Sequence, residues 1–98
     1  MNCYIIAFDY NDNKIKSTYF SNKGLTYDIE KATKNTDYIS TQKMYNEIQI
    51  VQRSPYLREK DKLGKLLGDL TGRKISVIEV SEDSAHNKSY KELNCSYV

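Results

Sequence analysis

The side chains that most often do chemistry in proteins are few in this 98-residue sequence and are widely separated. His86 is the only histidine, and the two cysteines, Cys3 and Cys95, lie near opposite ends of the chain. A nucleophile and its base must lie within hydrogen-bonding reach, and nothing in the spacing places these three side chains together. The cysteine spacing also differs from that of zinc ligands or of a disulfide framework. We therefore expect reduced thiols, a surface histidine, no metal or other cofactor, and no enzyme activity.

A single carboxylate stands where some nucleases hold a metal ion. Asp9 ends the apolar segment Y-I-I-A-F-D-Y, and the turn-forming triplet N-D-N follows at residues 11–13. The segment resembles the first strand of the small ferredoxin-like nucleases of CRISPR adaptation and their toxin relatives, in which that aspartate can hold a divalent ion. In those proteins the strand runs into a basic helix, whereas here the triplet predicts a hairpin turn. We therefore expect Asp9 to cap the turn, and a metal-dependent nuclease is an alternative function.

The local charge is most positive between residues 53 and 74. This stretch holds seven basic and three acidic residues, whereas the rest of the chain holds eight basic and ten acidic residues. Basic side chains can neutralise nucleic-acid phosphates while a tyrosine stacks on a base, and Tyr and Arg are also frequent in protein interfaces. Because acids are interspersed, an ordinary solvated helix face is an alternative interpretation of this stretch. The acids also dilute the positive field, which favours a protein partner over nucleic acid. The predicted partner-binding residues are Arg53, Tyr56, Arg58, Lys60, Lys62, Lys65, Arg73 and Lys74.

Three glycines recur every fourth residue within the same stretch, at positions 64, 68 and 72. On one helix they would form a smooth strip, at a cost of roughly 1 kcal/mol for each glycine relative to alanine. The spacing of a phosphate-binding loop is absent. Close packing of the strip on the sheet of the same domain is the prediction, and a contact surface for a partner is the alternative.

The first half of the chain shows patterns for two strands and two helices. Residues 3–10 and 14–20 predict a hairpin that ends before Gly24. A short helix is predicted over residues 27–33, with Thr26 as its N-cap. Ser40 and Thr41 then form a second pair of caps, and the helix predicted after them carries apolar residues at helical spacing. Those apolar residues are Met44, Ile48 and Val51, with Tyr45 beside them.

The second half begins with the clearest helix-start signal in the sequence. Ser54 and Pro55 predict a helix start, with serine as the cap and proline at the first helical position. Leucines give this helix an apolar face, and Gly72 marks its predicted end. Residues 74–80 predict another strand. Residues 81–98 predict a partly ordered tail or an edge strand.

The element order predicts one α+β domain over residues 1–98. The order β-β-α-α-α-β indicates a small antiparallel sheet with the helices packed on one face. No run is long or apolar enough for a membrane-spanning helix, and the N-terminus lacks the pattern of a signal peptide. We therefore expect a soluble protein of the cytoplasm, with no membrane partner.

Several segments together resemble small uncharacterised proteins of phages and mobile elements in low-GC bacteria. They share a hairpin, a capped turn, a Thr-capped helix and a closing strand, here Y-I-I-A-F-D-Y, K-I-K-S-T-Y-F, G-L-T-Y-D-I-E-K-A-T, I-S-T-Q-K-M-Y-N-E-I and I-S-V-I-E-V. Residues 54–72 depart from that pattern as an insertion, which is a natural place for a specific contact. The resemblance implies an accessory inhibitor that binds a host protein, such as an anti-CRISPR or another anti-defence protein.

The residues and the resemblance together predict a non-enzymatic binding protein. Its most concrete form is a phage-type inhibitor that contacts a protein of the bacterial host or of its defence system, which could itself be bound to nucleic acid. A nucleic-acid-binding module that uses residues 53–74 is the first alternative. The nuclease that would use Asp9 is the second.

Overall fold

The fold is α+β, as predicted, and its sheet is antiparallel. The computed structural model describes residues 2–98. Five strands lie in the order β3-β2-β1-β4-β5, and they are β1 (Asn2–Phe8), β2 (Thr18–Ser21), β3 (Gly24–Thr26), β4 (Lys74–Glu82) and β5 (Lys88–Tyr97). The helices are α1 (Tyr38–Arg53), α2 (Pro55–Lys60) and α3 (Lys62–Leu67), and a 3-10 turn at Ile29–Lys31 precedes α1.

The central strand β1 is buried on both faces of the sheet. Successive side chains of a strand point to opposite faces. Accordingly, Ile6 and Phe8 belong to one cluster of buried residues, whereas Ile5 and Ala7 belong to another. Because both faces are covered, the strand shows an unbroken apolar run rather than an alternation of apolar and polar residues.

Different parts of the chain complete the two clusters of buried residues. Tyr45 and Ile48 of α1 and Leu67 of α3 lie in the cluster that contains Phe8. The other cluster is completed by Tyr10 and Ala32, which lie in loops. The helical spacing in α1 therefore predicted core positions correctly.

The hairpin of β1 and β2 forms, but its second strand is shorter than predicted. Only residues 18–21 form β2. Lys14 and Lys16 have positive φ angles of 58° and 62°, which strand geometry does not allow. The Asn11 side chain stabilises this loop, because its Nδ2 donates to the carbonyl of Ile15 (2.7 Å) and its Oδ1 accepts from the N–H of Ile15 (3.0 Å).

The helix predicted over residues 27–33 is wrong. One 3-10 turn forms there, and its N-cap is Asp28, whose Oδ1 accepts from the N–H of Glu30 (3.0 Å). Thr26 instead ends β3, a strand that the sequence patterns missed. With three residues, β3 is too short to show an alternation that could be read from sequence.

The first long helix, α1, begins earlier than predicted. Its cap is Asp37, whose Oδ1 accepts from the N–H of Ile39 (3.0 Å). The hydroxyl of Ser40 donates to Asp37 Oδ2 (2.6 Å). This bond and the bond from Ile39 lower the pKa of Asp37. Ser40 and Thr41 therefore lie in the first turn of the helix, and Thr41 Oγ1 donates to the carbonyl of Asp37 (3.1 Å).

The chain ends in β5, which lies at the edge of the sheet beside β4. The pairing shifts register between Val77 and Ile78, as at a β-bulge. Cys3 on β1 and Cys95 on β5 are both free thiols. Among residues 2–98, no helix is long and apolar enough to cross a membrane.

Candidate binding surface

Two short helices replace the single helix predicted after Ser54. Ser54 caps α2 as predicted, with its Oγ accepting from the N–H of Leu57 (3.2 Å). Asp61 then ends α2 and begins α3. Its N–H donates to the carbonyl of Leu57 (2.8 Å), and its Oδ2 accepts from the N–H of Leu63 (2.9 Å). The capping bonds of one aspartate therefore produce the bend between the helices.

Gly64 is buried where α3 meets α2. A Cβ atom at this position would lie 2.5 Å from the carbonyl oxygens of Leu57 and Arg58. The close packing predicted for this glycine is present, but it is against α2 and not against the sheet. Gly68 and Gly72 have positive φ angles of 73° and 85° and face open space. The three glycines therefore do not form one helical strip.

The structure separates the eight predicted partner-binding residues into two groups. One group is exposed on the helices and is called the helical surface below: Arg53, Tyr56, Lys60, Lys62 and Lys65. The other group is partly buried and bonded within the molecule: Arg58, Arg73 and Lys74.

Tyr56 is the aromatic residue of the helical surface. Its side chain is 69% exposed, and it makes no hydrogen bond within the described part of the chain. Arg53 lies at the end of α1, where its Nη2 donates to Gln49 Oε1 (3.1 Å). The nearest acid to Lys60 is Glu59, at 3.9 Å. At that distance and exposure the pair contributes little, so the lysine remains available to a partner.

Arg58 connects α2 to the segment that follows α3. Its Nη1 donates to the carbonyl of Gln52, and its Nε lies 3.8 Å from Asp69 Oδ1. Hydrogen bonds from the hydroxyl and N–H of Thr71 lower the pKa of Asp69, and Arg58 adds to that effect. Arg58 therefore joins α2 to the end of α1 and to the segment after α3.

The side chains of Arg73 and Lys74 bind residues of the sheet and its loops, apart from α2 and α3. Lys74 Nζ lies 3.1 Å from Glu92 Oε2, and that contact raises the pKa of Lys74. Arg73 Nη2 donates to Thr18 Oγ1 (2.9 Å). Both residues follow α3 closely in sequence, but their partners lie on other strands and loops of the sheet.

Asp9 accepts hydrogen bonds on both carboxylate oxygens. Arg73 Nε donates to Oδ2 (2.6 Å), and the N–H of Lys74 donates to Oδ1 (3.2 Å). Within residues 2–98, no three His, Cys, Asp or Glu side chains form a group that could hold a metal ion. A divalent ion at Asp9 would therefore have to displace a guanidinium group.

Replacing Asp9 with asparagine is expected to lower the free energy of unfolding by about 1 kcal/mol, because asparagine has only one acceptor oxygen and keeps one of the two hydrogen bonds at this partly exposed site. Asparagine tolerates the positive φ of 55° at this position. Urea denaturation measures the loss, with the exposed Asp12→Asn as control. Metal-dependent cleavage of RNA or DNA that disappears in Asp9→Asn would instead support the nuclease alternative.

His86 lies in the turn between β4 and β5. Its Nδ1 lies 2.9 Å from Glu82 Oε1, and its side chain is 86% exposed. Its φ of 64° and the bond from its N–H to the carbonyl of Asp83 (3.0 Å) are typical of a tight turn. The structure therefore places His86 at the surface.

Sequence patterns missed one further feature, a groove of about 780 Å³ between the turn that joins β2 to β3 and the segment at residues 31–34. Three lysines line it, at positions 23, 31 and 34. Seven residues separate Lys23 from Lys31, and Asp28 and Glu30 are among them, so no local cluster of positive charge marks the lysines. Neither a protein-family model, nor a curated protein, nor a solved structure matches the chain significantly.

Proposed function

We propose that this chain is a non-enzymatic binding protein, most concretely a phage-type inhibitor of a bacterial defence system that acts by protein–protein contact. The helical surface would form that contact. We also infer that α1, α2 and α3 cover one face of the sheet as a single layer, which would present this surface as a unit. The phage origin rests on the resemblance of the segments described above.

The exposure of Tyr56 is the observation that carries the proposal. A tyrosine ring that is 69% exposed leaves apolar area in water, and a partner could bury that area. Tyr and Arg dominate interface hot spots, and Arg53 lies three residues before Tyr56 in sequence. The capping bonds of Asp61 and the close packing of Gly64 hold α2 and α3 in fixed positions. A surface of fixed shape loses less conformational entropy when it binds.

The positions of the cations favour protein over nucleic acid at this surface. Arg58, Arg73 and Lys74 are bonded within the molecule, so fewer free cations remain than the sequence indicated. Each cation that is bonded within the molecule removes one possible phosphate contact and so weakens nucleic-acid binding, and the affinity of a phosphate-binding surface falls steeply with salt. A protein contact anchored by Tyr56 would be less sensitive to salt.

Replacing Tyr56 with alanine is expected to weaken binding of the partner by about 2 kcal/mol, or roughly thirtyfold, as for a central anchor. The partner would be captured from a low-GC bacterial lysate with the tagged protein and identified by mass spectrometry. Its Kd would then be measured at low and moderate salt. Tyr97→Ala is the matched control, because that ring is also 69% exposed but lies on β5.

Two results would count against the proposal. One is a Kd for the captured protein that Tyr56→Ala leaves unchanged. The other is micromolar binding of generic nucleic acid with a steep dependence on salt. If combined Lys60→Ala, Lys62→Ala and Lys65→Ala abolished that binding while Tyr56→Ala did not affect it, the nucleic-acid alternative would hold.

A further inference from the structure

The lysine-lined groove carries an excess of positive charge. Lys23, Lys31 and Lys34 are among the residues that line it, and no carboxylate side chain is among those residues. Within the described part of the chain, Lys23 and Lys31 make no ion pair. Lys34 Nζ donates to the carbonyl oxygen of Glu30 (2.7 Å) and so remains cationic without a counter-charge. A groove of this kind attracts an anionic ligand.

Hydrogen bonds hold the two walls of the groove together. The N–H of Thr33 donates to the carbonyl of Phe20 (2.9 Å), and Thr33 Oγ1 donates to Asn22 Oδ1 (3.4 Å). On the other wall, Ser21 Oγ donates to the carbonyl of Gly24 (2.9 Å) across the turn. The lysines therefore project from backbone whose position is fixed before any ligand binds.

An exposed tyrosine directly follows one of the lining residues in sequence. Tyr27 directly follows Thr26, which lines the groove, and its side chain is 78% exposed. The nearby carboxylates are already engaged. Asp28 caps the 3-10 turn, and Glu30 pairs with Lys88 (3.1 Å). The two acidic residues that follow Tyr27 most closely in sequence therefore have other partners.

We propose that this groove binds single-stranded nucleic acid, with Lys23 and Lys31 at the phosphates and the ring of Tyr27 against a base. Free cations beside a stacking aromatic ring are the combination by which proteins hold single strands without reading sequence. A duplex keeps its bases stacked inside and would not use the tyrosine. None of the residues proposed to hold the strand belongs to the helical surface, so the proposal can be tested independently of the proposed function.

The test is fluorescence anisotropy with a labelled oligothymidine of about 15 nucleotides, a length within the usual range for one binding site. A duplex of the same length is measured in parallel, each at several salt concentrations. Wild type is expected to bind the single strand with a Kd on the order of micromolar at low salt. Lys23→Ala with Lys31→Ala should weaken binding about tenfold and reduce the salt slope by about 1.4, because two phosphates lose their cations.

Tyr27→Ala should also weaken binding about tenfold, but without changing the salt slope. The matched control is Lys43→Ala with Lys91→Ala, which removes the same charge from exposed positions outside both the groove and the helical surface and should change Kd less than about twofold. All replaced side chains are exposed, and circular dichroism checks that each variant is folded. Lys23→Gln with Lys31→Gln is a second pair with longer neutral side chains.

Three results would overturn the proposal. They are the absence of binding by wild type at low salt, a control pair that weakens binding as much as the groove pair, and tighter binding of the duplex with no effect of Tyr27→Ala. The second result would show that nucleic acid is attracted by positive charge anywhere on the protein and not by the groove. The third would indicate general attraction to phosphates without stacking.

Discussion

Replacing Gly64 with alanine is expected to lower the free energy of unfolding by about 3 kcal/mol or more. The new side chain would clash with backbone atoms, which costs more than overpacking between side chains. The new Cβ would lie 2.5 Å from the carbonyl oxygens of Leu57 and Arg58. Those oxygens belong to α2 and cannot move aside as the end of a flexible side chain can. The helices must therefore separate or unfold. Urea denaturation followed by circular dichroism measures the change.

Gly72→Ala is the matched control for this substitution. Position 72 has a positive φ of 85° and open space around it, so alanine should cost only about 1 kcal/mol of backbone strain there. A loss for Gly64→Ala no larger than the loss for Gly72→Ala would show that α2 and α3 are not closely packed. The bend at Asp61 would then be flexible, and the rigidity claimed for the helical surface would be lost.

Replacing Gln52 with alanine is expected to destabilise the fold by about 3 kcal/mol, from an unsatisfied buried donor together with a cavity. The side chain is fully buried. Its Oε1 accepts from the N–H of Leu70 (2.7 Å), and its Nε2 donates to the carbonyl of Gly68 (2.8 Å). Without the amide, the N–H of Leu70 would remain buried without a partner. The midpoint and slope of urea unfolding give the loss.

Glu47→Ala on the same helix is the control for Gln52→Ala. It removes a side chain of similar size from an exposed position, where the expected change is within about 0.5 kcal/mol. Equal losses for the two variants would mean that the amide does not join α1 to the segment after α3.

Local signals predicted several elements correctly. Ser54 and Pro55 start α2 because a hydroxyl cap and a proline at the first position act within one turn of helix. The apolar run of β1 and the spacing of Ile48 in α1 also predicted buried positions. These signals succeed because their free energies depend on a few neighbouring residues. The bounds of β2 and the presence of β3 were not predicted, because they depend on a loop and on pairing between strands.

The sequence by itself therefore determined the α+β class, the start of α2 and much of the buried core. Only the tertiary structure decided which cations are free. Arg73 bonds Asp9 across 64 positions of the chain, and Lys74 meets Glu92 through the pairing of β4 with β5. The lysine groove likewise joins the β2–β3 turn to residues 31–34. Contacts of this kind form only when the sheet assembles, so no local pattern in the sequence encodes them.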